Sequence, residues 1–241
     1  MVFKSRMAAV LALTAFLTGT GFPVFAGDKP PIKTIAVISD LGDQFTVKHV
    51  GFMVFSNSEG RIDVSDWKTD DYVNSLIAKA LTPTFELKGV SFEKGSIASD
   101  KQGTFFTRKD TGDLVRDNAK PTNGQPVDAY LVVAPFGHDV GLTNQIVQGL
   151  GFLTWGSSAD IYSAIGFYLI DGNSFSRIDF CHPEAPDDEQ GRERDMWKHP
   201  EFAVEKANDV SPEMMPKLES ATKHALEQGI AFCLRDMKLI P

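Results

Sequence analysis

Two carboxylates, Asp40 and Asp43, follow an apolar segment in the string ISDLGD, and Phe136 and His138 follow another in FGHD. Carboxylates and an imidazole at strand ends are groups that two-metal hydrolysis needs, provided that they converge within a few ångströms. The same Asp and Gly residues also suit a turn, where Asp bonds to nearby backbone and Gly takes conformations closed to other residues. That use accounts for residues 40–43 without any chemistry. His49 shares a strand face with Phe45 and Val47 and reads as a structural histidine. His182 and His199 bracket Glu184, Asp187, Asp188, Glu189 and Glu193, but the Asp-x-Asp-x-Asp-Gly calcium loop is absent. A solvated charged loop is expected there. Ser157 and Ser158 lack the Gly-x-Ser-x-Gly elbow of a nucleophile, and neither glycine-rich phosphate cradle occurs. No metal and no cofactor is expected. Phe52, Phe55, Phe105, Phe106 and Phe136 border turns or a long polar segment. Exposed together, they would mark a ligand or partner surface, although packing is the commoner fate of large apolar residues.

The elements that position these groups follow from periodicity. Residues 33–39 (KTIAVIS) and 127–135 (VDAYLVVAP) are short apolar runs rich in β-branched residues, as in buried strands. QFTVKHV alternates after the turn at residues 40–43 and is expected to return as the second strand of a hairpin, with RIDV as a short third strand. Tyr72, Val73, Leu76, Ile77, Ala80 and Leu81 recur at helical spacing up to Pro83, with Asp66 or Thr69 as the cap. FELKGVSFE alternates as a strand, and residues 94–126 show no period and read as a long irregular loop. Three further strands are expected in GLGFLTW, ADIYSAIGFYLIDG and FSRIDF, the last two joined by an Asp-Gly turn. Residues 182–200 read as a loop or as a surface helix over 187–197. A final helix is expected from an N-cap at Ser211, with Gly229 breaking or ending it. Strands outnumber helices and hairpins dominate, which implies an α+β domain over residues 27–241. Its sheet would be mixed and mainly antiparallel, with helices packed on one face.

The amino terminus carries an address. Lys4 and Arg6 precede an uncharged run from Met7 to Leu17, and Gly19, Gly21 and Pro23 lead to Val24-Phe25-Ala26. This is the three-part pattern of a cleaved signal peptide, cut after Ala26. The apolar run is shorter than the roughly 20 residues that a membrane-crossing helix needs. A periplasmic or secreted protein without a transmembrane segment is therefore expected. Loss of the leader removes two of the 24 Lys and Arg and none of the 32 Asp and Glu, so the charge moves from −8 to −10. Such a surface repels nucleic acid and anionic lipid on average. An oxidising compartment also favours pairing of the two cysteines, Cys181 and Cys233, as a disulfide. Neither belongs to a Cys-x-x-Cys pair, so they are poor metal ligands.

The strand TIAVIS, a helix ending in IAKALTP and the strand FELKGV resemble the opening of envelope domains of the curli-secretion lipoprotein and TolB amino-terminal type. VDAYLVV and IGFYLIDG are similar to the middle strand and final hairpin of that architecture. The chain also resembles uncharacterised proteobacterial exported-protein families, which imply no activity. ISDLGD is similar to the first metal-binding motif of calcineurin-like phosphoesterases, and FGHD to a later one. Gly42 stands where that family has a His, no Asn precedes His138, and no late Gly-His-x-His string is present. The expectation is an exported, non-catalytic binding or envelope assembly protein whose partner is an envelope protein or a small ligand. The alternative is a periplasmic metal-dependent hydrolase using Asp40, Asp43 and His138.

Overall fold

The computed structural model describes residues 31–52, 57–98, 109–139, 146–183 and 196–241. The leader expected over residues 1–26 lies outside them, as do Phe55, Phe105, Phe106, the acidic residues from Glu184 to Glu193 and most of the surface helix considered over 187–197. Among the described residues the fold is α+β. A mixed, mainly antiparallel sheet carries helices α1 (Thr69–Leu81) and α3 (Met215–Asp236) on one face.

The spine of the sheet is β10 (Ser158–Asp171), and its two halves have different neighbours. Residues 158–164 pair with β9 (Ile146–Trp155), and residues 165–171 pair with β7 (Ala129–Pro135). Gly149 stands opposite Ala164 and Pro135 opposite Ile165, and a β-carbon on Gly149 would lie 3.8 Å from Pro135. Strands β7 and β9 therefore follow one another along one edge of β10. The short strand β8 (Gly137–Asp139) fills the excursion between them and pairs with β9. Along the other edge run β11 (Arg177–Cys181) and β12 (Met196–Lys198). Outside β7 lies β1 (Thr34–Ser39) and outside β9 lies β2 (Gln44–Val50), both parallel to their neighbours. The sheet ends at β4 (Glu86–Lys88), parallel to β1, and at β3 (Ser58–Asp63), antiparallel to β2. A separate pair, β5 (Val90–Ser91) and β6 (Lys120–Pro121), brackets helix α2 (Thr111–Asn118).

Burial explains the pattern of each element. Ile35, Ala36 and Ile38 of β1 are all fully buried, because both faces of this strand are covered. One face packs Ile35, Leu131, Val133, Phe152, Ile161, Ile165 and Phe167 against Val73, Ile77 and Leu81 of α1 and Leu218, Leu226 and Ile230 of α3. On the opposite face Ala36, Ile38, Tyr130 and Val132 meet Leu114 and Val115 of α2. Removing each such large side chain from water stabilises the fold by about 1.5–3 kcal/mol.

Four local expectations need correction. First, β1 and β2 form no hairpin. The backbone N–H of Asp40 donates to Val133 O (2.9 Å), so the chain stays beside β7, jogs through residues 41–43 and runs on beside β9. The Asp-Gly string that suggests a reversal is used for that jog. Second, neither Asp66 nor Thr69 caps α1. Lys68, in the left-handed region (φ 49°, ψ 48°), takes the cap position without a side-chain bond, after a 3-10 turn at Ser65–Trp67. Third, residues 94–126 are not irregular throughout. Asp110 caps α2 by accepting from the N–H of Gly112 (3.2 Å), and this eight-residue helix offers too few apolar positions to show a period. Fourth, α3 starts at Met215 rather than beside Ser211 and runs unbroken through Gly229 to Asp236.

Cys181 and Cys233 form a disulfide, with their Cα atoms 5.5 Å apart and a sequence separation of 52. It ties the end of β11 to α3. Among the described residues no helix is long and apolar enough to cross a membrane.

Candidate functional site

Asp40 and Asp43 are both built into one structural bracket at the carboxyl end of β1. The Asp40 carboxylate is fully buried and accepts three backbone N–H groups: Gly95 (2.6 Å) on one oxygen, Ile97 (2.8 Å) and Ala98 (2.9 Å) on the other. Residues 95–98 are thereby fastened over the end of β1. Beside it, Lys94 Nζ donates to Asp43 Oδ1 (2.6 Å) and lies 3.5 Å from Asp70 Oδ2. Asp70 comes from the first turn of α1 and accepts from Ser39 Oγ (2.7 Å) and the Leu41 N–H (2.8 Å). Burial raises the pKa of Asp70, and the bonds from Leu41 and Ser39 offset part of that rise. Neither Asp70 nor Lys94 was signalled by a motif. Only the fold brings them to Asp43. Among the described residues no group of three or more His, Cys, Asp or Glu side chains is placed to hold a metal ion. The side chain of His138 lies outside the described residues.

His49 belongs to a polar pair within the sheet. Its Nδ1 stands 2.8 Å from Thr154 Oγ1, and that hydroxyl donates its proton to Val204 O (2.7 Å). Nδ1 is therefore the donor toward Thr154, which is a structural use of the ring.

Phe136 leads to a different assembly. It follows β7 directly, and its N–H donates to Ala164 O (2.8 Å), so its ring lies beside β10. The ring centroid is 5.3 Å from Phe180 and 5.8 Å from His182, the latter stacked at 12°. Phe180 is in turn 4.9 Å from Tyr168, its register partner across the β10–β11 ladder. Phe136, Tyr168 and Phe180 are all half-buried. They line a cavity of about 360 Å³ together with Arg177 and the start of α2 (Lys109, Asp110 and Thr111). That volume lies within the range of small-molecule sites.

Gly166 makes the floor of this cavity possible. A β-carbon there would stand 2.8 Å from Tyr168 Cε2, 2.9 Å from its hydroxyl and 3.0 Å from Phe180 Cε2. Without it the two rings lie back over the strand instead of standing away from it. The polarity of β11 separates two roles: Phe180 faces the rings, while Cys181, on the opposite side, bonds to α3. Tyr168 and Phe180 carry no motif, and only the register of the β10–β11 ladder makes them neighbours. Arg177 carries no motif.

A second opening of about 470 Å³ lies between α1 and α3, lined by Tyr72, Lys223 and Glu227 among others. Its polar groups satisfy one another. The Tyr72 hydroxyl donates to Glu227, and Lys223 Nζ bonds Glu219 (2.6 Å) and lies 5.0 Å over the Tyr72 ring. Burial and the Glu227 carboxylate push the Tyr72 phenol up to about 12.

Comparison with protein-family models, with curated proteins and with solved structures finds no match to this chain.

Proposed function

We propose that the chain is an exported, non-catalytic binding protein of the cell envelope, with an assembly or accessory role, and that it binds its ligand in the cavity over Gly166. The observation that carries this reading is the set of three half-buried aromatic rings around an open volume of about 360 Å³. Rings of this size are normally packed away, and an accessible group of them marks a contact surface. Export is supported by the leader pattern and by the disulfide, a bond that persists in oxidising compartments. The parallel pair β1 and β4 is in keeping with the envelope-domain resemblance, while β2 and β3 are inserted between β1 and α1. The hydrolase alternative gains nothing from Asp40, whose two oxygens are committed to backbone N–H groups.

A thermal-shift screen of small periplasmic metabolites against the purified protein and a Gly166→Leu variant tests the reading. At least one compound raises the melting temperature of the parent and not of the variant, in which the leucine collides with the Tyr168 and Phe180 rings and displaces them from the cavity wall. If every compound acts equally on both proteins, or none acts on either, the cavity is not a binding site. Amino-terminal sequencing of native material tests export separately. The expected first residue is Gly27, and cytosolic protein beginning at Met1 would refute it.

A further inference from the structure

We infer that the ligand of this cavity is a small planar, aromatic or conjugated molecule bearing a carboxylate, an inference that rests on the binding role proposed above. The planar part follows from the walls. Phe136, Tyr168 and Phe180 meet at centroid distances of 4.9–5.3 Å with interplanar angles of 48–55°, so they are tilted and do not close on one another as a stack. Phe136 also stacks on His182, and Phe136, Tyr168 and Phe180 each line the open volume. A flat conjugated ring satisfies such faces by offset or edge-to-face packing.

The carboxylate follows from the charges at the rim. Lys109 Nζ is engaged by Asp117 Oδ2 at 2.6 Å, and Asp110 is turned to the N–H of Gly112 as the cap of α2. Arg177 differs. Its guanidinium carbon lies 5.7 Å over the centre of the Phe180 ring, and among the described residues no ion pair joins it to a carboxylate. The ring orients the cation without neutralising it. A planar guanidinium so placed presents a donor fork to a carboxylate, the geometry in which Arg surpasses Lys. One ligand thus answers both features: a ring in contact with Tyr168 and Phe180, and an acid group at Arg177. The neighbouring Asp110 and Asp179 bear the same sign as the ligand, so charge alone does not create affinity. Ring contact is required as well.

Titration of the purified full chain by ligand-observed NMR tests this with three probes: indole-3-carboxylate, indole-3-carboxamide and cyclohexanecarboxylate. Indole-3-carboxylate binds about tenfold more tightly than either of the others, a difference of about 1.4 kcal/mol. Arg177→Gln abolishes the preference for the acid over the amide and leaves the melting temperature unchanged, since the side chain is exposed. Tyr168→Ala weakens both indoles. If the amide binds as well as the acid, or if Arg177→Gln leaves the preference intact, the carboxylate assignment is overturned and the cavity stands as a neutral site. If cyclohexanecarboxylate matches the indole acid, the planar assignment falls. If none of the three binds and the metabolite screen is also blank, the binding role fails with it.

Discussion

Gly229, in the middle of α3, lies directly beneath Pro183. A β-carbon at Gly229 would stand 2.7 Å from Cβ and 2.9 Å from Cγ of that proline. The contact lets the chain beyond β11 cross close over the helix, two residues after Cys181 and four residues before Cys233. Glycine is tolerated at this helix position because close approach outweighs its poor propensity. Gly229→Ala should gain about 1 kcal/mol of helix propensity and lose about 1–3 kcal/mol to overpacking. A net drop in the urea midpoint is expected. In a Pro183→Gly background the same substitution should become stabilising, and a double-mutant cycle measures the reversal. A stabilising Gly229→Ala in the parent would show that Pro183 does not press on the helix.

Asp40 should behave as a structural residue. Asp40→Ala leaves the N–H groups of Gly95, Ile97 and Ala98 without their acceptor, two of them in buried bonds. A loss of about 3 kcal/mol or more in chemical denaturation is expected, with Asp40→Asn intermediate because one acceptor oxygen remains. An Asp40→Ala protein of parental stability would return this carboxylate to the list of groups available for chemistry.

The outer frame of this molecule is legible because it rests on long apolar periods. TIAVIS and VDAYLVV read as buried strands, and the Val73, Ile77, Leu81 stripe reads as a helix face, since burial alone fixes them. What was hidden depends on contacts between distant segments. The reversal expected at residues 40–43 fails because Asp40 is claimed by residues 95–98, more than fifty positions away. Gly229 suggests a break until Pro183 is seen above it. Helix α2 has only Leu114 and Val115 to bury, too few to establish a period. At the site, Phe136 was visible as an aromatic beside a turn. Its companions Tyr168, Phe180 and Arg177 were not, because their proximity to Phe136 depends on β7 and β11 flanking the same half of β10. Asp40 and Asp43, grouped with His138 by their positions at strand ends, serve the bracket over β1 instead.

The disulfide should contribute measurably to stability. Cys233 is fully buried and Cys181 nearly so, and closing a loop of this length contributes on the order of 4 kcal/mol in the chain-entropy model. Denaturation midpoints with and without reductant should differ accordingly, and a Cys181→Ser/Cys233→Ser variant should match the reduced protein. Because Phe180 and His182 flank Cys181, reduction should also loosen the aromatic wall and weaken any ligand of the cavity. Equal midpoints for the two redox forms would contradict this account.

Acid should weaken the start of β1. The Asp128 carboxylate accepts from the backbone N–H groups of Lys33 and Thr34, both at 2.9 Å, and these bonds hold its pKa below the ordinary 3.8. A carboxyl whose folded pKa is depressed adds stability that is complete above the unfolded value. That stability is lost as pH falls from about 4 through the folded value. Asp128→Asn should therefore be less stable than the parent at neutral pH and show a shallower decline below pH 4. Parallel pH–stability curves for the two proteins would rule the linkage out.

The cavity over Gly166 can be examined most directly by soaking crystals with 4-iodobenzoate and locating the iodine by its anomalous scattering. The account predicts one strong peak among Phe136, Tyr168 and Phe180, with the carboxylate against the Arg177 guanidinium. Rings closed over an empty floor, with iodine found only elsewhere on the molecule, would contradict it.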